Sequence, residues 1–155
     1  MNVIDNALPE LIQRKIPSTL FITTGYLGKH PRWDIGRDHP DYEEICMTAN
    51  QIRKLPFGFV SIGSHTVTHP KLTRIDERMA LNELSVSKEQ LETILARKVN
   101  LLSFPHGEHN DKIVELSLRA GYKRVFTILP TFAFSKPGEY ITGRVNVDPE
   151  DWRLE

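Results

Sequence analysis

The chain has 155 residues, 39% hydrophobic and 26% charged, which suits one globular domain over residues 1–155 and excludes disordered and fibrous classes. Its 20 Lys plus Arg balance 20 Asp plus Glu, so no global field recruits nucleic acid or an anionic membrane surface, and no apolar run reaches membrane-span length. A single cysteine, Cys46, excludes an internal disulfide framework and a thiolate-rich zinc site.

The opening MNVIDNALPELIQ lacks the basic start and apolar core of a signal peptide, which points to the cytosol if Met1 is the natural start. Residues 5–15 put Ala7, Leu8, Leu11 and Ile12 on one face and predict a helix, stopped by Pro17. "STLFIT" (18–23) is β-branched and aromatic enough for a buried strand. Residues 24–40, broken by glycines and by His30-Pro31 and His39-Pro40, read as a long loop. Ile45, Ala49, Ile52 and Leu55 predict a helix over 41–55, and "FGFVSIG" (57–63) the next strand. Thr73-Arg74-Ile75-Asp76 resembles a capping box that opens a helix running to about Arg97. "NLLSF" (100–104) is a strand, and residues 110–122 are a helix with Asn110 as N-cap and Gly121 as its stop. "KRVFTIL" and "EYITGRVNV" are late strands. Strands alternating with helices mean an α/β fold with a mainly parallel sheet, open or curled into a barrel. In such folds chemistry gathers at the C-terminal ends of strands.

At one such end stands "SIGSHTVTHP" (61–70), with His65 and His69 four residues apart. Two neutral imidazoles on a short segment can bind one metal ion if both rings face it. Thr66, Val67 and Thr68 are β-branched and Pro70 follows, so a helix is disfavoured. An extended segment would hold the rings too far apart. A tight turn is required, and the threonine hydroxyls can hold it by bonding backbone. Two solvated loop histidines remain the competing reading until a third ligand, normally a carboxylate, is found.

"SIGSHTVTHPKL" resembles the second motif of the polysaccharide deacetylase family, His-(Ser/Thr)-x-x-His, at every specified position. Downstream, "LLSFPHGEHNDKIVELSLRAGYKRVFT" is similar to the family's third-motif region, with its aromatic-Pro-x-Gly turn. Upstream, "ALPELIQRKIPSTLFITTGYLG" resembles the family's helix-to-strand approach, and "RVNVDPEDW" loosely echoes a late Asp-x-x-Asp-Trp motif. The resemblance implies a distorted (β/α) barrel and metal-dependent deacetylation of N-acetylated glycans, polymer or oligosaccharide. By motif, His65 and His69 are ligands of a divalent metal, zinc foremost, and Thr66 orients their loop. The N–H of His106 is the implied oxyanion donor, on a turn shaped by Pro105 and Gly107. Asp148 and Trp152 are candidates for the wall around acid and substrate, with a surface turn the competing reading.

The family's first motif, Thr-Phe-Asp-Asp-Gly, supplies the base and the third ligand on a strand that would fall before Met1. The chain contains no Asp-Asp pair, and Asp5 is read as helix N-terminal charge. The acid-bearing Leu-x-His motif is missing too, and Ser103 holds the usual third-motif arginine position, removing a partner that would orient the base. The expected fold is therefore an incomplete barrel without its first strand. Three readings follow: a truncated or misassigned active deacetylase, a pseudoenzyme that binds glycan or metal, or a subunit whose site another chain completes. The chain as given is expected to be inactive or nearly so. The exposed edge of "STLFIT" predicts a homo-oligomer or a rearranged sheet. His109, beside the third-motif turn, is read as a solvated loop residue, with contact to substrate the alternative.

Overall fold

β-Branched and aromatic residues build the first strand, β1 (Ser18–Ile22), which Pro17 separates from the helix before it. That helix is shorter than expected. A π-type turn, Val3–Ala7, leads into α1 (Leu8–Gln13), where Leu8 is buried. In this computed structural model residues 3–33, 36–37, 42–130 and 137–145 are described. His39, Asp148 and Trp152 lie outside them.

The helix predicted over 41–55 shrinks to α2 (Ala49–Arg53). Thr48 caps it with a reciprocal capping box to Gln51, which fixes the start there. Upstream, Cys46 N–H donates to the Lys29 carbonyl (2.9 Å) and Gly28 N–H to Cys46 and Met47 (both 3.2 Å). Those pairings claim backbone that a longer helix would need, and Ile45 is left 56% exposed.

β2 (Val60–Ser64) follows, then α3 (Glu77–Leu95), β3 (Leu101–Ser103), α4 (Asp111–Arg119), β4 (Arg124–Phe126) and β5 (Ile141–Thr142). The cap of α3 is Asp76, accepting from Met79 N–H, and not the predicted Thr73, whose hydroxyl donates to Glu108 (3.0 Å). Ala96, in the left-handed region at φ 51°, ends α3. Asn110 caps α4 as the sequence suggests, accepting from Ile113 N–H at 2.9 Å.

Among the described residues the five strands are all parallel and lie side by side in chain order, with β1 and β5 outermost. The fold is the α/β sheet of an incomplete (β/α) barrel. Apolar residues of α3, α4, β3 and β4, among them Leu84, Leu102, Leu116 and Val125, make one core cluster with Phe104, which follows β3. Leu8, Ile22, Ile52, Val60, Ile62 and Leu91 make a second around β1 and β2. Both clusters draw on α3, whereas the paired Thr19 and Ser61 of β1 and β2 stay exposed.

Candidate metal centre

β2 ends at Ser64, and the next N–H, of His65, still donates to the Ile22 carbonyl of β1 (2.9 Å). The chain then turns back on itself. Thr66 and His69 both have positive φ, 69° and 64°. A threonine there is strained, so its surroundings must hold it. Thr66 is fully buried; its hydroxyl donates to the His65 carbonyl (2.5 Å) and accepts from His69 N–H (3.1 Å). The required tight turn is formed, and Thr66 is its pin. From β1's side, Thr24 and Gly25 N–H donate to the Thr66 and Val67 carbonyls, and a Cβ on Gly25 would lie 2.7 Å from the Val67 oxygen.

Sequence reasoning missed the strongest brace. One oxygen of the Glu83 carboxylate, on α3, accepts from Val67 N–H (2.8 Å) and Thr68 N–H (2.9 Å), and the other from the Thr68 hydroxyl (2.8 Å). Glu83 stands three residues after buried Ala80 and four before buried Ser87. A carboxylate beside the inward stripe of a helix was the available signal. Beneath the loop, Ser64 and Ser87 hydroxyls lie 2.8 Å apart, and Tyr122 donates to the Leu84 carbonyl (2.8 Å). Burial pushes the Tyr122 phenol up to about 12, so it stays a neutral donor.

The turn brings the Nε2 atoms of His65 and His69 to 3.2 Å. Two imidazole nitrogens on one tetrahedral zinc, each about 2.0–2.1 Å from it, sit roughly 3.3 Å apart. The pair therefore has the bite of two ligands. His65 Nδ1 lies 2.8 Å from the Ser103 carbonyl, which accepts its proton and leaves Nε2 as the lone-pair donor. Burial lowers the pKa of His65, and the charges of Arg144 and His106 lower it further against the Ser103 bond. The neutral, metal-binding form is favoured. Donor type, tautomer and spacing all fit a divalent cation.

His106 enters the site by its side chain as well. Its ring centroid is 4.8 Å from that of His69, and the Trp33 ring lies 5.1 Å from His69. Pro105 and Gly107 are buried around it; His106 has φ 56° and Gly107 φ 68°. His109 stacks on Phe104, with centroids 5.5 Å apart. Beside His69 an open cleft of about 440 Å³ is lined by Tyr26, Arg32, Trp33, Thr68, Lys71 and Arg74. Trp33 falls in the long loop, where the sequence carried no signal for it.

Among the described residues, no group of three His, Cys, Asp or Glu side chains is placed to hold a metal ion. Asp5 sits exposed in the first turn of the chain. Ser103, at the usual third-motif arginine position, is met by a guanidinium from elsewhere in the chain. Arg144, just beyond β5, donates from a terminal nitrogen to the Ser103 hydroxyl (2.9 Å) and from Nε to the Thr127 carbonyl (3.0 Å).

A family model described as polysaccharide deacetylase matches residues 1–125. The Bacillus subtilis protein YxkH, named for the same family, is 26% identical over 144 residues, 93% of this chain and 47% of its own length. The chain thus spans about half the length of that curated relative. Among solved structures, the Streptococcus pyogenes deacetylase PplD in complex with acetate superposes at TM-score 0.77 and 22% identity, over 96% of this chain and 62% of that one. IcaB from Ammonifex degensii does so at 0.77 and 24%, over 98% and 65%. At these identities the structural likeness carries the fold.

Proposed function

The chain belongs to the polysaccharide deacetylase family, and on that premise we propose that His65 and His69 hold the divalent metal, zinc foremost, of a site for removing acetyl groups from N-acetylated glycans. The observation that carries the reading is the 3.2 Å approach of the two Nε2 atoms with His65 Nδ1 committed to Ser103. A metal bound there supplies Lewis-acid chemistry, lowering the pKa of water and polarising the acetyl carbonyl. The chain's own residues do the rest. Thr66 and Glu83 hold the turn, the His106 N–H stands on the turn assigned to the oxyanion, and Trp33 and Tyr26 offer aromatic faces to a sugar in the adjoining cleft.

Two histidines leave ligation and the base incomplete, so this chain alone binds metal and turns over little or nothing. A non-catalytic glycan- or metal-binding role, or completion by another chain, is the second reading, favoured by the absence of a third ligand among the described residues. β1 is an outer strand, and we assign its open edge to pairing with a second copy. The test is metal analysis of purified protein together with acetate release from an N-acetylglucosamine oligomer. Stoichiometric zinc that His65→Ala removes supports the site; acetate release that His65→Ala abolishes makes the chain itself the enzyme. Failure to retain any divalent metal defeats the proposal. Light scattering decides the oligomer.

A further inference from the structure

Three cations, Arg32, Lys71 and Arg74, line the cleft beside His69, and among the described residues no carboxylate does. A neighbouring cleft of about 500 Å³, which shares Tyr26 and Arg32 with the first, adds Lys29 and His30. The chain as a whole is neutral, 20 Lys plus Arg against 20 Asp plus Glu, so this positive field is local to the groove. A cleft lined by one sign of charge concentrates ligands of the opposite sign.

The fold does not use up these charges. Lys71 and Arg74 each stand 3.7 Å from the same Glu108 oxygen, beyond hydrogen-bonding distance, and the other Glu108 oxygen accepts from the Thr73 hydroxyl at 3.0 Å. The Thr73 bond foremost, then Arg74 and Lys71, lower the Glu108 pKa against desolvation, so its negative charge is already present at neutral pH. One carboxylate therefore faces two cations, and a positive excess is left. Arg32 is oriented by Tyr42, whose hydroxyl accepts from a terminal guanidinium nitrogen at 3.1 Å and whose ring centroid lies 5.7 Å from Cζ. Tyr42 holds that cation without neutralising it. In the same cleft the Trp33 ring lies 5.1 Å from His69 and packs edge-on against Tyr26 at 5.0 Å. A sugar stacked there brings its neighbour in the glycan up to the cations. The hydroxyls of a neutral sugar would displace water from them without supplying a counter-charge, whereas an anionic substituent supplies one.

We propose that the glycan this groove takes is acidic: an N-acetylated chain whose sugars carry carboxylate or phosphate, with that anion against Lys71, Arg74 and Arg32 and the acetylated sugar at His69. The proposal deepens the deacetylase reading above and rests on it. Ammonium and guanidinium groups bind either anion through charge-assisted hydrogen bonds, so the recognised chemistry is an anionic substituent next to the acetylated sugar.

The test is calorimetric titration of the chain, purified with zinc, against three tetrasaccharides. One is neutral N-acetylglucosamine, one is a hyaluronan fragment with a carboxylate on alternate sugars, and one is built of N-acetylglucosamine 1-phosphate. At about 10 mM ionic strength the acidic oligomers should bind about five- to tenfold tighter than the neutral one, and at about 1 M that preference should nearly vanish. Lys71→Gln and Arg74→Gln should each reduce the ratio of acidic to neutral affinity, and together bring it near one. Glu108→Gln, which removes the one opposing carboxylate, should widen it, a gain that loss of structure would not produce. Tighter binding of the hyaluronan fragment assigns the substituent as carboxylate, tighter binding of the phosphate oligomer assigns phosphate, and parity means that charge alone is read. Neutral oligomer bound as tightly as both acidic ones, a preference that the folded variants keep, or no saturable binding at all overturns the proposal. Metal content is measured in parallel. Zinc retained without acidic preference defeats only this proposal; acidic preference without retained metal defeats only the metal-site reading.

Discussion

Replacing Glu83 by alanine removes three hydrogen bonds from the histidine turn, those to Val67 N–H, Thr68 N–H and the Thr68 hydroxyl. Bonds to a charged acceptor contribute about 1.5–3 kcal/mol each when water cannot replace them. Glu83 is half-exposed and Thr68 exposed, so water recovers much of this, and the net loss of stability is about 2 kcal/mol. The larger consequence is local. Thr66 and His69 sit at positive φ, worth about 1–3 kcal/mol of strain apiece, and the brace is what keeps that strain in place. Without it the turn relaxes and the 3.2 Å bite of the two Nε2 atoms opens. Zinc affinity should fall about 10- to 100-fold, the range for losing a group that orients a ligand. Competition against a chromophoric chelator at pH 7 measures it, with urea unfolding of the metal-free protein alongside. Glu83→Gln, which keeps an accepting oxygen without the charge, should lie between. Unchanged zinc affinity in a folded Glu83→Ala protein would refute the reasoning.

Other perturbations test other links. His65 should titrate below its ordinary 6.5 in the metal-free protein, seen in its imidazole proton resonances, because burial disfavours the cation. Its folded pKa is depressed, so the stability it contributes is present above 6.5 and is lost as pH falls through the folded value; a midpoint at or above 6.5 contradicts the electrostatics of the site. Burial opposes ionisation of Glu92, yet bonds from Lys88, Val99 N–H and Lys98 outweigh it and bring its pKa to about 2. That stability is present above 4.5 and fades as pH drops toward 2, so Glu92→Gln should flatten the acid limb of the unfolding curve. Gly107→Ala places a Cβ 2.3 Å from Ile128 Cγ1 at φ 68°, and should lower stability by about 1–3 kcal/mol in denaturant while displacing the His106 turn in NMR spectra. A wild-type midpoint would mean the turn tolerates a side chain.

Local patterning determined most of the scaffold. The β-branched run at 18–23 forms β1, the strand predicted over 57–63 forms as Val60–Ser64 after a turn at Phe57–Phe59, Asn110 caps its helix, and His65 follows the end of β2. Each rests on interactions within a few residues, so the one-dimensional pattern contains them. Helix limits failed where distant backbone competed: Lys29 and Gly28 claim Cys46 and Met47, and Glu108 draws Thr73 away from capping. At the site, the His-x-x-x-His spacing proposed a pair, but spacing could not say that the rings converge. Convergence needed Thr66 held at positive φ by its own hydroxyl and by Glu83, seventeen residues along the chain on another element. Arg144 is the sharpest case. Reading position 103 alone gave a missing arginine, whereas the sheet sets β5 beyond β4 and lets a residue forty-one positions away reach Ser103. A side chain's chemistry is written in the sequence; the atoms it meets are chosen by strand order and packing, which no local pattern encodes.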